Sequence, residues 1–123
     1  MELLVDSSVW IDHLRFGDDA LAAALEENRV LAHPGVIGEL ALGRLANRHE
    51  VLDALSALPS CVVASHAEIR VFIERNQLAG SGMGYVDADL LASVALTPAA
   101  RLWTRDRKLT ECARQLGLAW QSP

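Results

Sequence analysis

A chain of 123 residues, about half of them apolar, is long enough to fold as one domain around its own hydrophobic core. Its formal net charge of −5 excludes a passive nucleic-acid binder built on a basic stripe, though not an enzyme whose acids hold the cations that meet phosphates. No apolar run approaches the roughly 20 residues that cross a bilayer, and the opening Met1-Glu2-Leu3-Leu4-Val5-Asp6 lacks the basic start of a signal peptide, so a cytoplasmic protein without membrane contact is expected.

In chain order, Glu2–Val5 is a short apolar run that stops at Asp6 and reads as a buried strand. A short helix over Val9–Leu14 follows. Leu21, Ala24, Leu25 and Asn28 recur at helical spacing within Asp18–Arg29, whose leading acids suit a helix N-terminus. Val30–Ala32 is a second strand, ended by the break His33-Pro34-Gly35. Helices are predicted over Gly35–Leu45 and Glu50–Leu58. After the turn Pro59-Ser60, Cys61–Ala64 reads as a third strand. His66–Leu78 is a helix with Ile69, Phe72 and Ile73 on its apolar side. Glycines 80, 82 and 84 make a flexible loop before a helix over Tyr85–Leu96, which Thr97-Pro98 ends. Arg101–Thr104 is a fourth strand, Arg107–Leu116 a helix stopped by Gly117, and Leu118–Gln121 a last edge strand. Cys61 and Cys112 share no metal-type spacing and read as reduced, mostly buried thiols. With no repeat, low-complexity tract or linker, the alternation implies one α/β domain over residues 1–123: a central parallel sheet with helices on both faces.

In such a sheet ligands bind beyond the carboxyl ends of the strands, which singles out four acids. Asp6 closes the first strand; it either caps the following helix or faces a ligand, and Ser7 or Ser8 could cap equally well. Glu39 lies in Val36-Ile37-Gly38-Glu39-Leu40-Ala41-Leu42-Gly43, apolar nearly all round, the pattern of a buried helix. A carboxylate there needs a metal or a cation such as Arg44 or Arg48. Asp87 heads the stripe Leu90, Leu91, Val94 and so points inward. Asp89 is about 200° round the helix from it and reads as a first-turn acid favoured by the dipole. Asp106, after the fourth strand, either caps the next helix or serves the site. Converging all four costs several kcal/mol of repulsion, on the order of 4 kcal/mol per close pair. A hard divalent cation removes that cost and supports phosphodiester hydrolysis.

The same residues carry a resemblance. Leu3-Leu4-Val5-Asp6-Ser7-Ser8-Val9-Trp10-Ile11 resembles the opening motif of PIN-domain nucleases. Glu39, Gly84-Tyr85-Val86-Asp87 and Leu102-Trp103-Thr104-Arg105-Asp106 are similar to the motifs that follow, in order along essentially the whole chain. The resemblance is closest to VapC-type toxins of bacterial toxin–antitoxin pairs. It implies a three-layer α/β/α sandwich and Mg²⁺- or Mn²⁺-dependent cleavage of RNA. It also implies inhibition by a cognate antitoxin, and homodimers. By position it makes Asp6, Glu39, Asp87 and Asp106 the catalytic, metal-holding quartet and Thr104 a supporting hydroxyl. Asp89, where many relatives carry a non-acidic residue, is a further candidate ligand.

Other features carry less. His13, His33, His49 and His66 lack zinc spacing, and the glycines at 80, 82 and 84 follow no strand, so they form no dinucleotide fingerprint. Arg105 and Arg107 flank Asp106 and could touch RNA phosphates. The alternative of another class is a receiver-like Mg²⁺-binding phospho-acceptor domain. It needs paired acids after the first strand, an aspartate after the third and a lysine after the fifth. Here Asp6 stands alone, Ala64-Ser65 carries no acid, and Lys108, the one lysine, lies in a helix.

Overall fold

The computed structural model describes residues 1–121; the single unit expected over 1–123 extends two residues beyond them. Its elements run β1 (Glu2–Val5), α1 (Ser7–Phe16), α2 (Asp19–Glu26), β2 (Val30–Leu31), α3 (Pro34–Leu42), α4 (Arg48–Ser56), α5 (His66–Arg75), α6 (Tyr85–Leu96), β3 (Ala100–Trp103) and α7 (Arg107–Gln115). Among the described residues no helix is long and apolar enough to cross a membrane.

The sheet has the order β2-β1-β3 and is parallel throughout. Parallel bridges from Ala32 to Ser60 and from Leu102 to Ala119 extend the ladder by one step at each edge. Because β1 lies in the middle and is covered on both faces, Leu3, Leu4 and Val5 are fully buried, which is why that segment reads as an unbroken apolar run. Right-handed crossovers settle the layers. The chain moves outward from β1 through β2 to Ser60, placing α1 to α4 on one face. It then returns across the sheet to β3 and on to Ala119, placing α5 to α7 on the other. This is the α/β/α sandwich predicted. The direction of winding reverses between β1 and β3, so the crevice for a ligand opens beyond their carboxyl ends.

Several element boundaries need correction, and Leu118–Gln121 is a single bridge at Ala119 rather than a strand. Cys61–Ala64 is not a strand. Ala32 and Cys61 exchange one rung, Cys61 N–H donating to Ala32 O at 3.1 Å, but the next amides are taken by side chains of the α6 region. Val62 N–H donates to Thr97 Oγ1 at 2.9 Å and Ala64 N–H to Ser93 Oγ at 3.0 Å, which pulls the segment off the sheet edge. The helix predicted to Leu45 ends at Leu42, where Arg48 donates to Ala41 O and Gly43 O and satisfies the terminal carbonyls. The first helix starts earlier than read, at Ser7.

Candidate active site

Asp6 lies at the end of β1 and is buried, 5% exposed. It occupies the N-cap position of α1, yet its side chain makes no capping bond. Instead Ser8 Oγ and Thr104 Oγ1 both donate to its Oδ2, each at 2.8 Å. Among the described residues Oδ1 has no partner, so one oxygen is anchored and the other is available. Thr104 sits just past β3, and its hydroxyl also accepts from Asp106 N–H at 3.1 Å. One hydroxyl thus ties the ends of the two strands that flank the crevice.

Asp106 is the N-cap of α7, its Oδ1 accepting from Leu109 N–H at 2.8 Å. Capping uses one oxygen and leaves Oδ2 without a hydrogen-bond partner among the described residues, so the two readings of this residue are compatible. Asp87, in the first turn of α6, is half-buried. Its carboxyl is pushed up to about 6, first by burial and then by the negative charges of Asp6, Asp106 and Glu39. Four acids spread along the chain from Asp6 to Asp106, at the end of β1, on α3, in α6 and at the start of α7, therefore share one electrostatic neighbourhood.

Glu39 differs from expectation. Its helix is apolar nearly all round, which predicted burial, but Glu39 is exposed, and Leu42 beyond it is 91% exposed. Its Oε1 accepts from Ser7 Oγ at 3.0 Å. Neither suggested cation pairs with it: Arg48 is spent on the C-terminus of α3, and Arg44 forms no ion pair among the described residues. Arg105 is likewise spoken for. It pairs with Asp12 and Asp18 across α1 and α2 and does not turn toward the acids.

Asp89, read as a first-turn acid on the far side of the helix from Asp87, turns toward Ser93 and the cap of α3. Its Oδ1 lies 3.0 Å from His33 Nε2 and accepts from Ser93 Oγ at 2.9 Å. It is not among the charges that raise Asp87. Its charge falls instead on Cys61, whose thiol is pushed up to about 11 mainly by burial and then by Asp89. The sequence reading missed His33, which is 1% exposed and caps α3 through Nδ1. The available signal was a histidine directly before a proline, since proline at the first helical position leaves the preceding residue as the cap.

The donor set suits a hard cation: carboxylate oxygens only, mutually repelling, with Asp6 oriented by two hydroxyls. Among the described residues no three acidic, imidazole or thiol groups are drawn tightly enough to enclose an ion by themselves.

The sequence matches no family model. It is 47% identical over 117 residues, 95% of this chain and 94% of the relative, to Ribonuclease VapC32 of Mycobacterium tuberculosis, in both strain CDC 1551 / Oshkosh and strain ATCC 25618 / H37Rv.

Proposed function

The chain belongs to the VapC ribonuclease family, and from that premise we propose that it is the RNA-cleaving toxin of a toxin–antitoxin pair, acting through Asp6, Glu39, Asp87 and Asp106 with Mg²⁺ or Mn²⁺. The enzyme is an endoribonuclease. The observation that carries the assignment of the site is the rise of Asp87 caused jointly by the other three acids at the strand crevice.

When bound, a divalent cation supplies Lewis acidity toward the phosphodiester and a lowered pKa for water at the site. The chain's own residues supply the rest. Ser8 and Thr104 hold Asp6 by one oxygen, fixing the direction of the free one. Asp106 is held by its cap to Leu109 N–H and by the Thr104 hydroxyl on its own backbone. Ser7 orients Glu39. Asp87, which keeps a proton to about pH 6, is the acid most responsive to what charge enters the crevice. The protein works on RNA in the cytoplasm, is held in check by an antitoxin, and forms homodimers. The exposed apolar side chains Ile11, Leu14 and Leu42 around α1 and α3 supply surface for these associations.

Asp6→Asn tests the assignment. An amide oxygen in the place of Oδ2 keeps both hydroxyl bonds, so the fold stands, while an amide NH₂ replaces the free oxygen. Cleavage of RNA with Mg²⁺ should be lost in a variant that unfolds at or above the wild-type midpoint. Wild-type cleavage by that variant would remove Asp6 from the site.

A further inference from the structure

Among the described residues three polar side chains are buried: Asp6, His33 and Ser93. Asp6 belongs to the acid cluster; the other two do not. They form, with Asp89, a network that joins three parts of the chain. His33 Nδ1 accepts from Gly35 N–H at 2.8 Å, so the ring carries its proton on Nε2. That Nε2–H faces Asp89 Oδ1 at 3.0 Å and Ser93 Oγ at 3.2 Å. The Ser93 hydroxyl donates to Asp89 Oδ1 at 2.9 Å and accepts from Ala64 N–H at 3.0 Å. Every buried side-chain polar atom among the described residues is satisfied, and the bonds His33–Asp89, His33–Ser93 and Ala64–Ser93 cross between the cap of α3, α6 and the segment before α5.

The geometry points to His33 and Asp89 as positioning residues that set the distance between Glu39 and Asp87; this rests on the proposed acid quartet. Glu39 rides on α3, whose first turn His33 caps, and Asp87 is two residues before Asp89 on α6. The two helices touch where Gly35 meets Val86, the residue next to Asp87. A Cβ on Gly35 would stand 3.1 Å from His33 Nδ1, 3.2 Å from His33 Cε1 and 3.2 Å from Val86 Cγ1. Gly35 and Glu39 are one turn apart on the same face of α3, so the face that rests on α6 is the one that carries the acid. Besides the two bonds of His33 Nε2, to Asp89 Oδ1 and to Ser93 Oγ, no hydrogen bond between side chains joins α3 to α6 among the described residues. Without the imidazole the helices are held at this end by van der Waals contact alone, and without the Asp89 carboxylate only the longer bond to Ser93 Oγ remains, so in either case the two acids lose their fixed separation. Misplacement by about 1 Å can cost roughly 100-fold in turnover.

His33→Asn separates capping from cross-linking, because an asparagine caps Gly35 but cannot reach Asp89. Asp89→Asn keeps an oxygen to accept Nε2–H, whereas Asp89→Ala does not. Steady-state RNA cleavage would be measured well below each variant's unfolding midpoint, with Mn²⁺ binding followed by calorimetry on the same preparations. His33→Asn and Asp89→Ala should lower kcat by roughly 10- to 100-fold with KM little changed, and weaken Mn²⁺ binding by about tenfold. Asp89→Asn should restore both to near wild type. Gly35→Ala, which keeps every polar group, should show a milder version of the same loss. Wild-type kcat and Mn²⁺ affinity in His33→Asn would overturn the inference, as would an Asp89→Asn variant as impaired as Asp89→Ala. Asp6→Asn and Asp87→Asn are the controls for the quartet itself: if they cleave normally, the quartet is wrong, whatever His33 does.

Discussion

Asp87→Asn in metal-free protein gives a sharp test of the acid cluster. The carboxyl titrates near 3.8 in an unfolded chain and near 6 in the folded one. The folded state therefore binds the proton more tightly, so the stability due to this group is present below about pH 4 and is lost as pH rises through about 6. At 1.36 kcal/mol for each pH unit the full effect is ~3 kcal/mol, and water at a half-buried carboxylate screens this to about 1–2 kcal/mol. The asparagine variant keeps the shape and removes the charge. Urea unfolding in EDTA, followed by tryptophan fluorescence, should show it about 1–2 kcal/mol more stable than wild type near pH 7.5 and no different near pH 3.5. Excess Mn²⁺ should then reverse the order, because binding to the native state stabilises wild type more than the variant. A stability difference independent of pH, or a variant less stable than wild type near pH 7.5, would refute the clustering of charge on Asp87.

Arg105→Ala removes two surface ion pairs with Asp12 and Asp18; it should cost about 1 kcal/mol or less in thermal unfolding and leave the KM for RNA in place, and a raised KM would return Arg105 to the substrate path. Leu42→Glu, at a position 91% exposed, should leave stability within about 0.5 kcal/mol but shift sedimentation toward monomer; a dimer of undiminished affinity would place the interface elsewhere. Cys61, buried and titrating near 11, should resist iodoacetamide near pH 8 until the protein unfolds, so rapid labelling of native protein would contradict its burial.

Periodicity and punctuation made most of the fold legible. The central strand reads directly because both faces are covered, and Tyr85–Leu96 matches its helix to the residue since glycine and Thr97-Pro98 bracket it. Asp6 and Asp106 stood out because they follow apolar strands, where a helix-cap reading competes with a functional one, and Asp106 does cap α7. What stayed hidden depends on partners distant in sequence. The fate of Cys61–Ala64 turns on Ser93 and Thr97, more than 25 residues away, whose hydroxyls compete with the sheet for its amides. The exposure of Glu39 was hidden because an all-apolar helix looks the same whether it is covered by its own chain or left open, as Leu42 is. His33 looked like part of a break, and only its ring position beside Asp89 reveals that it bonds two helices together.

The hydroxyl of Thr104 reaching back 98 positions to Asp6 also governs when, during synthesis, activity can begin. A nascent chain that has emerged as far as α6 holds Asp6, Glu39 and Asp87 but lacks β3, so its central strand has one open edge and its first acid has lost one of its two anchors. Non-local pairing of this kind forms late. A fragment stopped before Ala100 should therefore cleave no RNA, and the acid site is completed only when β3 and Thr104 have joined the sheet.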